Sequence, residues 1–150
     1  MLGREKLVGG DATLMNARHI LFRTNRFNLS DTKPHFINPE CFGEDFADWL
    51  KNKLVERGVD VGRLGQEDWG WYLEVKNDGH PYLLGMNGIP DEASSGNKDF
   101  GQWRIIVKKN RSLGDWLSGE GRIDVDDTML TTIEETLRAE HDFSDIHQEG

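Results

Sequence analysis

The sequence contains a single cysteine, Cys41, among 150 residues, which excludes an intrachain disulfide. It also lacks long hydrophobic runs. Its longest apolar stretches are a few residues, such as Ile20-Leu21-Phe22, whereas a membrane-spanning helix needs roughly 20 apolar residues. The first 16 residues carry charge but no apolar segment of the kind found in secretory signals. These absences predict a cytoplasmic protein in a reducing compartment, with no membrane partner.

Motifs for metal binding and catalysis are missing as well. None of the five histidines stands at a metal-ligand spacing, and no cysteine pair accompanies them. The acidic run at 124–127 lacks the remaining ligands of a calcium loop, and Gly-Glu-Gly at 119–121 lacks the rest of a phosphate loop. Cys41 has no thiol-enzyme signature around it, so we expect a half-buried apolar side chain. We predict no catalytic residue, no metal and no cofactor; enzymatic activity is left undecided, with its absence favoured.

Positive charge is scarce at the C-terminal end. The formal net charge is −9, and residues 111–150 hold only 3 Lys+Arg against 11 Asp+Glu. Nucleic-acid binding usually leaves a basic footprint, so we predict no nucleic-acid partner. A solvated surface is the simplest explanation of the acidic region. The same charge would also attract a basic protein partner.

Hydrophobic periodicity predicts an α+β fold. A β-like stretch begins at residue 17, and an amphipathic pattern predicts a helix from about 40 to 57 that stops at Gly58. Alternating residues on both sides of Asp78-Gly79 predict a hairpin, and a further strand follows near 102–109. A second helix is expected after Asp126 or Asp127, either of which would cap it. The predicted order is β-α-β-β-β-α, with an antiparallel sheet of about four strands and two helices on one face.

The chain is short enough to form one domain. We expect a flexible N-terminal arm at 1–16, the single α+β domain at 17–141 and an acidic C-terminal tail at 142–150. No internal repeat and no linker divides the sequence.

The most distinctive run is QEDWGWYLEVKNDGHPYLLGM, residues 66–86. Trp69 and Trp71 are expected to share one face of a strand and to fill the core, because an aromatic pair two residues apart suits a buried sheet face. Gly70 between them indicates a bulge or a close backbone approach. The alternative is a small-ligand-binding protein or an enzyme with an acid-and-aromatic cleft. The residues of that candidate binding site are Glu67, Asp68, Trp71 and Tyr72.

Two stretches, CFGEDFADWLKNKLVERG (41–58) and QEDWGWYLEV (66–75), resemble a small bacterial domain of uncharacterised function. In that domain a Phe-Gly-acid helix start and a Trp-Leu pair precede a strand of the EDWGW type. The resemblance covers residues 36–107. It implies a bacterial, cytoplasmic, single-domain protein, and it implies no activity and no catalytic residues.

The sequence therefore predicts a small soluble protein that acts through protein contacts. One specific form is an immunity-type or inhibitor protein whose acidic surface masks a basic toxin or nuclease. We expect the contact region to combine the loop at 87–101 with the acidic C-terminal segment. A homodimer formed by pairing of uncovered sheet edges is a further alternative.

Overall fold

A computed structural model describes residues 17–91, 99–109, 123 and 126–149. Residues 1–16, predicted as an arm, and 92–98, in the predicted contact loop, lie outside that part of the chain. The described elements, in chain order, are β1 (Arg18–Thr24), α1 (Glu44–Glu56), β2 (Asp60–Glu67), β3 (Gly70–Asn77), β4 (His80–Pro90), β5 (Gly101–Lys109), α2 (Thr128–Arg138) and β6 (Ser144–Glu149).

The strands form one antiparallel sheet in the order β2-β3-β4-β5-β1-β6. For the described residues, the prediction of an α+β fold with an antiparallel sheet and two helices is confirmed. The predicted strand number and element order are wrong, because the described sheet has six strands and the order of described elements is β-α-β-β-β-β-α-β. The two strands that were not predicted, β2 and β6, lie at the two ends of this order, where each has only one neighbour among the described strands.

The sequences of β2 and β6 explain why they were not predicted. β2 contains Gly62 and Gly65, which weaken the strand pattern, and its pairing with β3 is interrupted by a bulge between Val61 and Leu64. β6, in the segment predicted as a tail, reads Ser-Asp-Ile-His-Gln-Glu, and only Ile146 is apolar. Neither strand has a buried residue, so polar side chains on both are tolerated because they remain in contact with water.

Helix α1 begins at Glu44 rather than near residue 40. Gly43 precedes it with φ 153°, in a region that L side chains rarely adopt, so the chain turns into the helix at that residue. The predicted stop at Gly58 is confirmed, since this residue has φ 87°. The predicted cap of α2 is confirmed for Asp127, whose side chain accepts a 2.9 Å hydrogen bond from the amide of Met129.

The hydrophobic core lies between the two helices and one face of the sheet, which we call the inner face. Leu73, Leu84 and Ile105 represent the inner-face positions of three adjacent strands and are fully buried. Phe46 of α1 packs in the centre, with its ring centroid 5.2 Å from that of Trp103 on β5. In the described part of the chain, no helix is long and apolar enough to cross a membrane.

Candidate functional site

The connection between β1 and α1, residues 25–43, is the longest fully described connection between two elements. Connections longer than about 12–15 residues are uncommon in compact domains and are usually either functional or disordered. We call this segment the β1–α1 connection. Hydrogen bonds attach it at three places to the start of α1, to β2 and to the turn between β2 and β3.

The first attachment is at Asn28. Its side-chain oxygen accepts hydrogen bonds from the amides of Ser30 (3.1 Å) and Asp31 (2.8 Å), which closes a local turn. The amide of Asn28 donates a 2.8 Å hydrogen bond to the carboxylate of Asp45, in the first turn of α1. Burial raises the pKa of Asp45 above its usual value, although hydrogen bonds from the amides of Asn28 and Phe46 act in the opposite direction.

The second attachment is Gln66, near the end of β2. Its side-chain nitrogen donates to the carbonyl of His35, and its side-chain oxygen accepts from the amide of Ile37, both at 2.8 Å. One amide side chain therefore binds the backbone on both sides of Phe36, at the His35 carbonyl and the Ile37 amide. This arrangement fixes Ile37 in place even though 57% of that residue is exposed.

The third attachment is the backbone carbonyl of Asp68, in the turn between β2 and β3. It accepts a 2.7 Å hydrogen bond from the side chain of Asn38 and a 3.2 Å hydrogen bond from the thiol of Cys41. The connection is thus tied to the end of the sheet where β2 and β3 meet.

Trp71 lies beneath the connection and is 3% exposed. Its indole Nε1 donates a 2.9 Å hydrogen bond to the carbonyl of Cys41. Its ring meets that of Phe36 edge-on, with centroids 5.4 Å apart. A Cβ at Gly43 would lie 3.1 Å from the Trp71 ring, so a glycine there allows the close approach. Trp71 therefore supports the connection from below and presents almost no surface to a ligand.

The expectation that Trp69 and Trp71 share one face is wrong. Trp71 pairs with Met86 and lies on the inner face, whereas the ring of Trp69 covers Gly85, which points to the outer face. The cause is that Trp69 belongs to the two-residue turn before β3, so the alternation of strand residues does not extend to it. Gly70, with φ 152°, makes the transition from the turn into the strand.

The four residues of the predicted acid-and-aromatic cleft do not line a common cleft. Glu67 and Asp68 are exposed at the β2–β3 turn, and Trp71 is buried on the inner face. Tyr72 is buried on the outer face, where its ring lies against Gly65. None of the four residues lines either of the two cavities described below.

A groove of about 380 Å³ lies beside the connection. Its floor includes Gly88 of β4, which forms an isolated bridge with Phe42 of the connection. Ile89, next to Gly88, is 64% exposed, the highest value among the large apolar side chains of the described residues. We call this cavity the apolar groove; its lining residues are Thr32, Pro39, Glu40, Phe42, Gly88, Ile89 and Pro90.

Three exposed carboxylates lie on this end of the molecule, and we call them the acidic rim: Glu40, Glu67 and Asp68. Glu40 lines the groove, and Asp68 is tied to the connection on both sides of Glu40 through Asn38 and Cys41. In residues 17–91, 99–109, 123 and 126–149, no hydrogen bond or ion pair involves these three carboxylates. Their charge is therefore exposed to a binding partner.

Several acidic residues of the C-terminal segment, in contrast to the acidic rim, form ion pairs. Arg26 binds the carboxylates of Glu140 (2.8 Å) and Asp142, and it also covers the ring of Phe143. The hydrogen bond and charge of this guanidinium lower the pKa of Asp142. Asp127 pairs with a cation as well, since Lys109 lies 3.3 Å from it. A substantial part of the negative charge in this segment is therefore neutralised by ion pairs within the molecule.

A second cavity, of about 290 Å³, lies on the other side of the connection. Its polar groups are paired with one another: the Lys33 ammonium lies 2.7 Å from Asp31. The Nε2 of His35, next to the cavity, lies 2.8 Å from both carboxylate oxygens of Glu44. Within the described ranges, no group of three or more His, Cys, Asp or Glu side chains is placed to hold a metal ion.

Cys41 is half-buried, as expected. Burial raises the pKa of its thiol, and the nearby charges of Glu40 and Asp68 act in the same direction. Because the thiolate is the reactive form, this environment makes Cys41 a weak nucleophile. The thiol instead serves as a hydrogen-bond donor to the backbone.

We compared the chain with protein-family models, curated proteins and solved structures, and no match was found in any of the three comparisons. The resemblance to a small bacterial domain therefore stays a prediction. Sequence reasoning did not identify the β1–α1 connection as a site. The signal available was the run Asn-Leu-Ser-Asp-Thr-Lys-Pro-His-Phe-Ile-Asn-Pro at 28–39, which is rich in turn-forming residues and has two prolines.

Proposed function

We propose that this protein is a non-enzymatic interaction module that binds a basic protein through the acidic rim and the adjoining apolar groove. The observation that supports this function best is the presence of three exposed, unpaired carboxylates beside an exposed apolar surface. Exposed apolar patches bordered by polar residues are typical of protein-binding sites. Complementary charge accelerates encounter and selects against partners of the wrong sign.

The structure of the β1–α1 connection favours binding over catalysis. Gln66 and Asp45 bind its backbone, and the carbonyl of Asp68 binds its side chains at Asn38 and Cys41, so the connection is ordered in advance of binding. Ordering in advance reduces the entropy that is lost on association. Cys41 is a weak nucleophile because its pKa is raised, and the polar groups near the second cavity are paired with each other.

The proposed surface differs from the contact region expected from the sequence. Residues 87–90 belong to β4 rather than to a loop, and Ile89 and Pro90 line the groove. The acidic C-terminal segment is less suitable than expected, because Arg26 and Lys109 neutralise part of it. An immunity-type or inhibitor protein that covers a basic toxin or nuclease remains the specific form that we propose.

Affinity capture with charge-matched variants tests this function. The rim variant Glu40→Gln/Glu67→Gln/Asp68→Asn removes the three unpaired carboxylates. The control variant Glu56→Gln/Asp60→Asn/Glu74→Gln removes three exposed acids elsewhere and gives the same net charge. We expect the wild type and the control variant to capture the same basic protein from a lysate of the source organism, and the rim variant to lose it.

The proposal would be contradicted in either of two cases. One is that no basic protein binds the wild type at low or at moderate salt. The other is that the rim and control variants lose the captured protein equally, which would indicate a nonspecific response to net charge.

A further inference from the structure

The apolar groove has features that the acidic rim alone does not explain. Its walls include the side chains of Pro39, Phe42 and Ile89. Its volume of about 380 Å³ lies near the lower end of the range for ligand pockets, about 300–1,000 Å³. This volume suits a large apolar side chain rather than a whole secondary-structure element.

The glycine at position 88 lets the groove lie directly against the core. A Cβ at this position would lie 2.7 Å from Leu29 and 2.7 Å from the ring of Trp103, so a larger residue would push the surrounding side chains apart. Because Trp103 is fully buried in the core, the groove rests on a rigid base. A preformed site of this kind binds with little rearrangement.

Little of the backbone at the groove is open to strand addition by a partner. Gly88 pairs with Trp103 of β5 on one side and bridges to Phe42 on the other, and Ile89 pairs with Gln102 of β5. The pairing of β3 with β4 ends at Met86, before the groove. We therefore expect recognition at this place to use side chains rather than a new ladder of backbone hydrogen bonds.

The negative charge at the groove favours a basic partner over a second copy of this chain. Glu40 lies in the groove wall, and Glu67 and Asp68 add unpaired negative charge nearby. A second copy would carry a net charge of −9 to this surface, and like charges at an interface oppose association. A cationic segment is attracted instead.

We propose that the groove receives one large apolar side chain from a partner segment in which lysine or arginine residues flank that side chain. The inference rests on the proposed function and deepens it by specifying the recognition chemistry. The apolar side chain enters between Pro39, Phe42 and Ile89, and the flanking cations face Glu40 and Asp68. The pattern that is recognised is therefore an apolar anchor within a basic segment.

Three synthetic peptides of equal length provide the probe. The first has a central leucine flanked by lysines, the second has serine in place of the leucine, and the third has glutamates in place of the lysines. Binding is followed by the NMR shifts of the Gly88 and Ile89 amides. We expect only the first peptide to shift both amides in a saturable way, with weaker binding as salt is raised.

Two protein variants connect the binding to the groove. Ile89→Ser removes the exposed wall of the groove, and we expect it to weaken binding of the leucine peptide by about fivefold or more. Val55→Ser is the matched control, because Val55 is also a large exposed apolar residue (53%) but lies on α1, outside the groove lining. We expect the control to bind like the wild type.

The inference is overturned if the serine peptide binds as tightly as the leucine peptide, or if Ile89→Ser and Val55→Ser behave alike. It is also overturned if the wild type forms a dimer that Ile89→Ser dissociates, because a second copy would then be the occupant. These results differ from failure of the proposed function. Loss of apolar selectivity with continued, rim-dependent capture of a basic protein would remove the groove inference alone.

Discussion

The indole of Trp71 donates a 2.9 Å hydrogen bond to the carbonyl oxygen of Cys41, and this bond joins the sheet to the connection that carries the candidate site. The donor is on an inner-face residue of β3, and the acceptor is on a residue between the groove-lining Glu40 and Phe42. The position of the groove therefore depends on a residue that does not line it.

Replacing Trp71 with phenylalanine removes the indole donor and leaves the Cys41 carbonyl without it. We expect the free energy of unfolding to fall by about 1–3 kcal/mol, the usual cost of leaving a buried polar group unpaired. Urea denaturation measures this loss. Because Trp71 is buried, the readily quenched share of the tryptophan fluorescence should not fall in the variant. A large drop in that share would show that Trp71 is accessible and would contradict its supporting role.

The Cys41 thiol should react slowly with alkylating agents near neutral pH. Burial raises its pKa, and the charges of Glu40 and Asp68 raise it further. The reaction rate should increase with pH into the range above the pKa of an ordinary thiol. The double variant Glu40→Gln/Asp68→Asn should react faster than the wild type at pH 8, because two charges that disfavour the thiolate are gone. A variant that reacts more slowly would contradict the assigned electrostatics.

Substitution of Gly88 by alanine should destabilise the protein. The added Cβ would overlap Leu29 and Trp103, and overpacking of this kind costs about 1–3 kcal/mol. Gly62→Ala is a suitable comparison, since the nearest atom to its Cβ is the carbonyl of Glu74 at 3.3 Å. Thermal denaturation of both variants should show a larger loss for Gly88→Ala. An equal or smaller loss would argue against the rigid base of the groove.

The stability should decrease as the pH falls below about 6.5, through His19. Burial and the neighbouring Arg104 lower the pKa of His19 from the model-compound value of 6.5, while Glu149 acts in the opposite direction. Between 6.5 and the lower folded-state pKa, the unfolded chain binds a proton that the folded chain does not, so unfolding becomes easier as the pH falls.

The variant His19→Gln isolates this contribution, because glutamine keeps an oxygen that can accept a hydrogen bond from Arg104 in place of the His19 ring nitrogen. We expect the stability of the wild type, relative to the variant, to fall with decreasing pH in that window. A relative stability that rises toward acid pH would show that the folded-state pKa of His19 is raised instead.

The parts of the fold that were predicted are those with local signals. The stop of α1 at Gly58 and the cap of α2 at Asp127 follow from residue preferences at helix ends. The hairpin turn at Asp78-Gly79 was read correctly for the same reason, and Asp78 adopts the expected positive φ of 53°.

The candidate site was not predicted because it is built from long-range contacts. Gln66 binds the backbone at His35 and Ile37, 31 and 29 positions earlier in the sequence, and no local pattern reveals such a bond. The pairing of Arg26 with Glu140 and Asp142 likewise crosses most of the chain. The distribution of charge along the sequence therefore indicated an acidic tail, which forms the edge strand β6. The unpaired carboxylates of the acidic rim lie near β2 and β3, at the opposite edge of the sheet.

The most direct test of the account is the affinity of the captured basic protein for the wild type and the two charge-matched triple variants, measured at low and moderate salt. We predict that Glu56→Gln/Asp60→Asn/Glu74→Gln binds like the wild type. We predict that Glu40→Gln/Glu67→Gln/Asp68→Asn binds more weakly by about tenfold or more, as expected for close charge pairs, and loses much of the salt dependence. Equal affinities for the two variants, at both salt concentrations, would contradict a binding site at the acidic rim.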